Sequence, residues 1–146
     1  MKLIGLVFLG LITSFIVYWL LFMLFMRFFG NIGEVGLLIS TLVVTPLAFL
    51  IGSFPTGYFS YYDIENKWSL LSMAPALYLE LVGVFVASVA FLLNAFMGNN
   101  DQGNIGILGT IAIAVAIGLY WYLASAGGVF LGYYLRERFA KWWYRD

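Results

Sequence analysis

Four long apolar runs dominate the sequence and leave few residues for anything else. The runs extend from Leu3 to Met26, from Val35 to Gly52, from Met73 to Met97 and from Ile105 to Leu135. About 20 consecutive apolar residues cross a bilayer as a helix, so each run predicts one membrane span. The predicted spans are approximately 3–28, 35–53, 73–97 and 105–135. They predict an all-α integral membrane protein.

The composition excludes an ordinary soluble domain. Hydrophobic residues make up 64% of the chain and charged residues only 10%, whereas about a quarter of a soluble domain is charged. The formal net charge is zero, so there is no electrostatic argument for a nucleic-acid partner. The longest connection, 54–72, is too short for a folded domain. We therefore expect one membrane domain over 1–146, with the lipid bilayer as its surroundings.

Two residue types with reactive side chains are absent, because the chain has no cysteine and no histidine. Disulfides, thiol catalysis and cysteine-based metal or iron–sulfur sites are therefore excluded. The commonest metal and haem ligand and the commonest general base near neutral pH are missing as well. The sequence contains no evident nucleophile–base pair, no two carboxylates within one span and no phosphate-binding glycine loop. We predict no catalytic residues, no metal and no cofactor.

The connections between the runs predict how the helices are joined. The two outer connections, 28–34 and 98–104, are short and rich in Gly and Asn, which favour tight turns. These turns predict a four-helix bundle of two antiparallel hairpins. The longer connection 54–72 carries the aromatic residues Phe54, Tyr58, Phe59, Tyr61, Tyr62 and Trp68. We expect a short interfacial helix there, which serves either as an aromatic anchor at the headgroups or as a docking surface for a partner.

The basic residues predict the orientation. Six of them fall on the side that holds both termini and the central connection, namely Lys2, Lys67, Arg136, Arg138, Lys141 and Arg145. Arg27 is the one basic residue on the other side. By the positive-inside rule both termini face the cytoplasm, in a plasma or inner membrane. The basic aromatic tail 136–146 suits a leaflet rich in anionic lipid.

The fourth run is longer than a bilayer requires. As one helix it would extend about 46 Å at 1.5 Å per residue, against a hydrocarbon core of about 30 Å. It therefore either tilts and projects into the cytoplasm or bends near Gly127–Gly128.

Glu80 is an acid inside the third span, and no apolar run contains a cation that could pair with it. A carboxylate in lipid costs several kcal/mol unless it is protonated, hydrogen-bonded or wetted. At 100° per residue it shares a narrow arc with Ala76, Gly83, Ala87, Ala90 and Asn94. Because small residues allow helices to approach closely, this arc predicts a packing face.

The fourth span carries a matching arc of Thr110, Ala114, Gly118, Trp121, Ser125, Gly128 and Gly132. Residues equally far from the outer turn lie at equal depth, so Glu80 should reach the Trp121 indole and the Ser125 hydroxyl. Asn94 should lie close to Thr110. We therefore predict hydrogen bonds between the third and fourth spans. The expected helix-packing residues are Gly83, Ala87, Gly118, Gly128 and Gly132.

One short segment resembles a known enzyme family. Gly52–Tyr58 reads Gly-Ser-Phe-Pro-Thr-Gly-Tyr and resembles the Gly-Ser-Ile-Pro-x-Gly segment of bacterial membrane glycerol-3-phosphate acyltransferases that use acyl phosphate. Gly103–Gly106, Gly-Asn-Ile-Gly, is similar to a second motif of that family. The resemblance covers about eleven residues, an apolar span separates the two segments, and the basic residues expected between them are missing. It implies a lipid-metabolising acyltransferase.

Three functional hypotheses follow. The first is a non-catalytic subunit or assembly component of a membrane complex, which would contact other membrane subunits or further copies of itself. The second is a small oligomeric transporter or channel in which Glu80 exchanges a proton or a cation. The acyltransferase-like enzyme is the third.

Overall fold

The computed structural model describes residues 2–30, 33–96 and 101–143, with the side chains of 95–96 and 101–105 left aside. These residues form helices joined by short turns, and no strand occurs within these ranges. The helices are α1 (Lys2–Phe29), α2 (Glu34–Ile39), a π-helix (Ser40–Val44), α3 (Thr45–Gly52), α4 (Phe54–Ser60), α5 (Ser69–Ser72), α6 (Pro75–Phe96) and α7 (Asp101–Trp143).

Four helical stretches of the described chain are long and apolar enough to cross a membrane. They are Lys2–Phe29, Glu34–Ser60, Pro75–Asn94 and Gly106–Trp143. The prediction of an all-α fold with four helices long and apolar enough to span a membrane is therefore confirmed. The second stretch continues through α4, past the expected end at residue 53. Pro55 does not stop the helix because it lies in the first turn of α4, where a backbone N–H is not needed.

Pro46 interrupts the hydrogen bonding of the second span, and α7 supplies the missing donors. Pro46 has no N–H, so it cannot pair with the carbonyls of Leu42 or Thr41, its partners in α- and π-helical geometry respectively. The Trp121 indole Nε1 donates to the Thr41 carbonyl at 3.0 Å. The Tyr120 hydroxyl donates to the Leu42 carbonyl at 3.1 Å. An unpaired carbonyl in hydrocarbon costs several kcal/mol, so these bonds make the irregular segment compatible with lipid.

Pro75 creates the same problem at the start of the third span. The Leu71 carbonyl lies four residues before it and accepts a long bond from the Ala74 N–H, at 3.4 Å. The Tyr122 hydroxyl donates to the same oxygen at 3.2 Å. Three consecutive aromatic residues of α7 thus each donate to a carbonyl close to a proline of another span.

Helix packing is concentrated in one part of the molecule, which we call the packed region. It comprises 6–16 of α1, all of α3, α4 and α5, residues 73–80 at the start of the third span and residues 118–135 of α7. Its hydrophobic core contains Val7, Leu70, Met73, Val129 and Tyr133. The open region comprises 17–29 of α1, all of α2, residues 81–94 of α6 and residues 106–117 of α7. No residue of these four open segments is buried.

The last helix, α7, is continuous over 43 residues and is not interrupted at Gly127 or Gly128. At 1.5 Å per residue it extends about 65 Å, more than twice the thickness of a hydrocarbon core. It provides residues to both the packed and the open region and ends in a polar segment that begins at Arg136.

Candidate functional site

Glu80 lies in the second turn of α6, where its side chain packs onto the backbone of α7. The position that a Cβ would occupy at Gly118 is filled by the Glu80 carboxyl group. Glu80 is half-buried, and none of the described residues donates a hydrogen bond or forms an ion pair to it. The missing side chain at Gly118 therefore provides the space that holds this carboxyl between the third and fourth spans.

The two groups expected to bond Glu80 have other partners. The Trp121 indole donates to Thr41 of the second span, as described above. The Ser125 hydroxyl is fully buried and shares a 2.8 Å hydrogen bond with the Ser53 hydroxyl. It also accepts a 3.3 Å bond from the backbone N–H of Ala76. Counting residues from the outer turn predicts only depth, whereas the direction in which Trp121 and Ser125 point around α7 depends on packing against the second span.

The second expected pair is Asn94 with Thr110. The Thr110 hydroxyl is exposed and donates to the Gly106 carbonyl of its own helix at 2.9 Å. Such an internal bond is the usual solution for a threonine in a helix that faces lipid. Asn94 is half-buried.

Gly128 and Gly132 lie at a close helix crossing, and the helix that they face is the second span rather than the third. A Cβ at Gly128 would overlap the Leu50 carbonyl, and one at Gly132 would overlap the Phe54 carbonyl. Both contacts step by four residues on both helices, which is the spacing of the Gly-x-x-x-Gly crossings of membrane helices. The two glycines thus allow direct backbone contact.

Gly83 was predicted to pack against another helix, but no other part of the described chain approaches it. It is exposed, and a Cβ built on it would meet no atom within 4 Å. Gly106 and Gly109 of α7 are open in the same way. Ala87, the other small residue expected to pack on this arc, is half-buried. The small-residue face of the third span is therefore filled near Glu80, open at Gly83 and partly covered at Ala87.

The segment that resembles an acyltransferase motif packs against other helices, a role that was not predicted from the sequence. Ser53, Thr56, Gly57 and Ser60 are all buried and follow the i, i+3, i+4, i+7 spacing of one helix face. A Cβ at Gly57 would overlap the backbone of Val129. This spacing was the available signal, but Pro55 and Gly57 are residue types that favour the end of a helix, which is why the predicted span stops at residue 53.

The same segment also contacts the first span. The Thr56 hydroxyl donates to the Leu6 carbonyl at 2.9 Å. The position of a Cβ at Gly10 is taken by Thr56, and that at Gly52 by the backbone of Ser14. Small residues here let three helices meet at once, which gives this segment a packing role.

A cavity of about 390 Å³ lies between α1, the π-helix and α7. Its polar lining consists of hydroxyl groups, and these are largely paired among themselves or with the backbone. Tyr18 and Ser40 share a 3.1 Å bond, and the Thr45 hydroxyl donates to the Ser40 carbonyl at 2.9 Å. Leu79 and Trp121 line it as well. The Glu80 carboxyl, although close in sequence to Leu79, is not part of this lining.

No group of three or more acidic side chains that could hold a metal ion occurs within residues 2–30, 33–94 and 106–143. Comparison of the chain with protein-family models, with curated proteins and with solved structures found no significant match.

Proposed function

We propose that the protein is a non-catalytic subunit or assembly component of a membrane complex, and that its open region receives a transmembrane helix of another protein. The observation that carries this proposal is the open space beside Gly83 of α6 and beside Gly106 and Gly109 of α7. Without a hydrophobic driving force between helices in lipid, close backbone approach at small residues is a main source of association. A face of this kind that its own chain leaves uncovered suits a partner helix.

The nature of the remaining surface supports a protein partner at this particular face. Apart from Gly5 near its start, the exposed residues of α1 have large side chains, as expected of a lipid-facing helix; they include Ile4, Phe8, Ile12, Phe15 and Ile16. The exposed residues of α6 and the first half of α7 include glycines and alanines beside the bulky ones. Lipid tails gain little from a notch that a glycine leaves, whereas a helix backbone fits it.

The proposed topology is two antiparallel hairpins joined by an interfacial segment after Ser60. Three contacts between the first two spans support it: Gly10 meets Thr56, Ser14 meets Gly52, and Tyr18 bonds Ser40. Residue numbers rise along one helix while they fall along the other. With the basic residues placed inside, both termini face the cytoplasm of a plasma or inner membrane, and the open region lies toward the opposite side.

Single-cysteine cross-linking tests the partner face, because the chain contains no cysteine of its own. Gly83→Cys and Gly109→Cys, labelled with a maleimide photo-cross-linker in native membranes, should each give one discrete adduct with the same foreign chain. Val82→Cys and Leu108→Cys are matched controls, since both residues are exposed and adjacent but bulky. They should give at least fivefold less adduct.

The outcomes separate the hypotheses. Equal labelling from glycine and control positions, or no adduct at all, contradicts the partner face. An adduct with a second copy of this chain replaces the subunit proposal with a homo-oligomer. As a further check, Gly83→Leu should reduce co-purification of the captured chain about tenfold, while Val82→Leu should leave it unchanged.

The alternative is a proton-coupled transporter or channel that uses Glu80. Its support is the half-buried Glu80 carboxyl against Gly118, to which none of the described residues forms a hydrogen bond or ion pair. In proteoliposomes that contain a pH-sensitive dye, Glu80→Gln should abolish proton movement, while Glu34→Gln at the surface should preserve it. Equal proton movement in both variants would discard Glu80 as the coupling group.

A further inference from the structure

Arg136 lies between two tyrosine rings near the end of α7. Its Nη1 donates to the Tyr58 hydroxyl and its Nη2 to the Tyr62 hydroxyl, both at 3.0 Å. The guanidinium carbon lies 5.1 Å from the centre of the Tyr58 ring and 5.4 Å from that of Tyr62. The side chain is therefore held in place by two hydrogen bonds and two cation–π contacts.

The Arg136 guanidinium and the two tyrosine hydroxyls can each still donate hydrogen bonds to a ligand. Each tyrosine oxygen accepts from the guanidinium, so its own O–H proton remains free to donate. A guanidinium carries five N–H groups, and these two bonds use two of them. No carboxylate pairs with Arg136 among the described residues. A site that presents a positive charge and several donors favours an anion with several acceptor oxygens.

Two neighbouring lysines differ in this respect. Lys67 and Lys141 both pair with Glu137, at 3.6 Å and 2.8 Å. Glu137 thus neutralises charge on its own side of α7, and the Arg136 cluster keeps its charge.

A cavity of about 390 Å³ opens at the cluster. Beside Tyr58, Tyr62 and Arg136 it is lined by Phe139, Ala140 and Trp143. Phe139 and Trp143 are exposed aromatic rings that follow the last apolar run, where such rings sit at the headgroup level of a membrane. The cavity therefore offers polar donors at one wall and apolar rings at another, which matches a lipid phosphate with its glycerol and upper acyl chain.

We propose that Arg136, Tyr58 and Tyr62 form a binding site for the phosphate group of an anionic membrane lipid. The site is separate from the open face of Gly83 and does not depend on the existence of a protein partner. It confines lipid recognition to one residue triad, whereas a basic tail alone would attract anionic lipid diffusely.

Native mass spectrometry of the whole protein in detergent, titrated with short-chain phosphatidylglycerol or phosphatidylcholine, tests the site. The wild type should retain one phosphatidylglycerol with at least tenfold preference over phosphatidylcholine. Arg136→Gln should weaken this binding about tenfold, because it removes the charge and the charge-assisted bonds. Arg138→Gln is the matched control: it removes the same charge two residues away, at a different groove, and should change binding less than twofold.

The tyrosine hydroxyls provide a second measurement that keeps the arginine. The double variant Tyr58→Phe with Tyr62→Phe should weaken phosphatidylglycerol binding about fivefold, since the rings remain and only the donors are lost. This variant decides the case if Arg136→Gln does not fold. Equal losses in Arg136→Gln and Arg138→Gln, an unchanged double variant, or equal retention of both lipids would overturn the proposal. Displacement of the lipid by millimolar inorganic phosphate would overturn the assignment to a lipid headgroup.

Discussion

The packed and open regions use the same small residue in opposite ways. In the packed region, atoms of neighbouring helices occupy the Cβ positions of six glycines: Gly10, Gly52, Gly57, Gly118, Gly128 and Gly132. In the open region, the space beside Gly83, Gly106 and Gly109 is empty. A glycine on a helix face therefore indicates that close approach is possible. Whether a neighbour from the same chain makes that approach depends on the fold.

The largest expected difference between the regions comes from enlarging their glycines. Gly128→Leu should lower the free energy of unfolding by about 3 kcal/mol or more, because the side chain must displace the Leu50 backbone. Gly83→Leu should change it by less than about 0.5 kcal/mol, since the space is open. Unfolding of the isolated protein in mixed micelles titrated with SDS measures both. Similar losses of unfolding free energy in the two variants would contradict the difference between the packed and open regions. Gly128→Ala replaces Gly128→Leu if the leucine variant does not fold.

A smaller effect is expected where the packed region ends, at Gly118. Gly118→Ala should cost about 1–2 kcal/mol because the Glu80 carboxyl must move. Combining it with Glu80→Ala should recover at least half of that cost, which gives a coupling energy in a double-mutant cycle. The same micelle titration measures all four proteins. Strictly additive losses would show that Glu80 does not rest on Gly118.

The hydrogen bonds to proline-released carbonyls should contribute less still. Trp121→Phe removes the bond to Thr41 and should cost about 0.6–1.5 kcal/mol, the range for polar contacts between membrane helices. Trp19→Phe in the open region is the control, because its exposed indole makes no hydrogen bond with a described residue. A cost for Trp19→Phe as large as that for Trp121→Phe would mean that ring size, and not the bond, decides.

The smallest effect is expected at the polar end of α7. Glu137→Gln removes the pairs with Lys67 and Lys141 and should lower the free energy of unfolding only marginally, because these cations are exposed. The cost should disappear in about 1 M salt. Glu65→Gln, at an exposed acid of the same end, is the reference. A salt-independent loss specific to Glu137 would show that this acid positions α7 by packing.

The candidate site was only partly accessible to sequence reasoning. Helical spacing alone was enough to place Glu80, Gly118, Gly128 and Gly132 on small-residue faces. It assigned the wrong neighbour to Ser125, because a residue's depth in a membrane follows from counting but its direction around a helix does not. Ser125 meets Ser53 since the crossing of the second span with α7 determines which side of α7 faces inward.

The Tyr120–Tyr122 segment was inaccessible for a related reason. A proline in a span predicts that a preceding carbonyl lacks its backbone N–H donor. Which residue donates to that carbonyl instead depends on which other helix packs beside it. Here the three consecutive side chains serve Leu42, Thr41 and Leu71 on two different spans. No local pattern in the sequence encodes that correspondence.

The sequence by itself determined that this chain is helical and has four helices long and apolar enough to cross a membrane. Those properties depend on the transfer of apolar residues into hydrocarbon and on backbone hydrogen bonds within each helix, which are local and additive. Only the tertiary structure decided which glycines contact a neighbouring helix, which carbonyls released by proline accept a side-chain hydrogen bond, and which tyrosines bind Arg136. These contacts depend on how each helix is rotated about its axis and on where helices cross. Arrangements with the same hydropathy differ in their van der Waals contacts at close range, and those contacts select one of them.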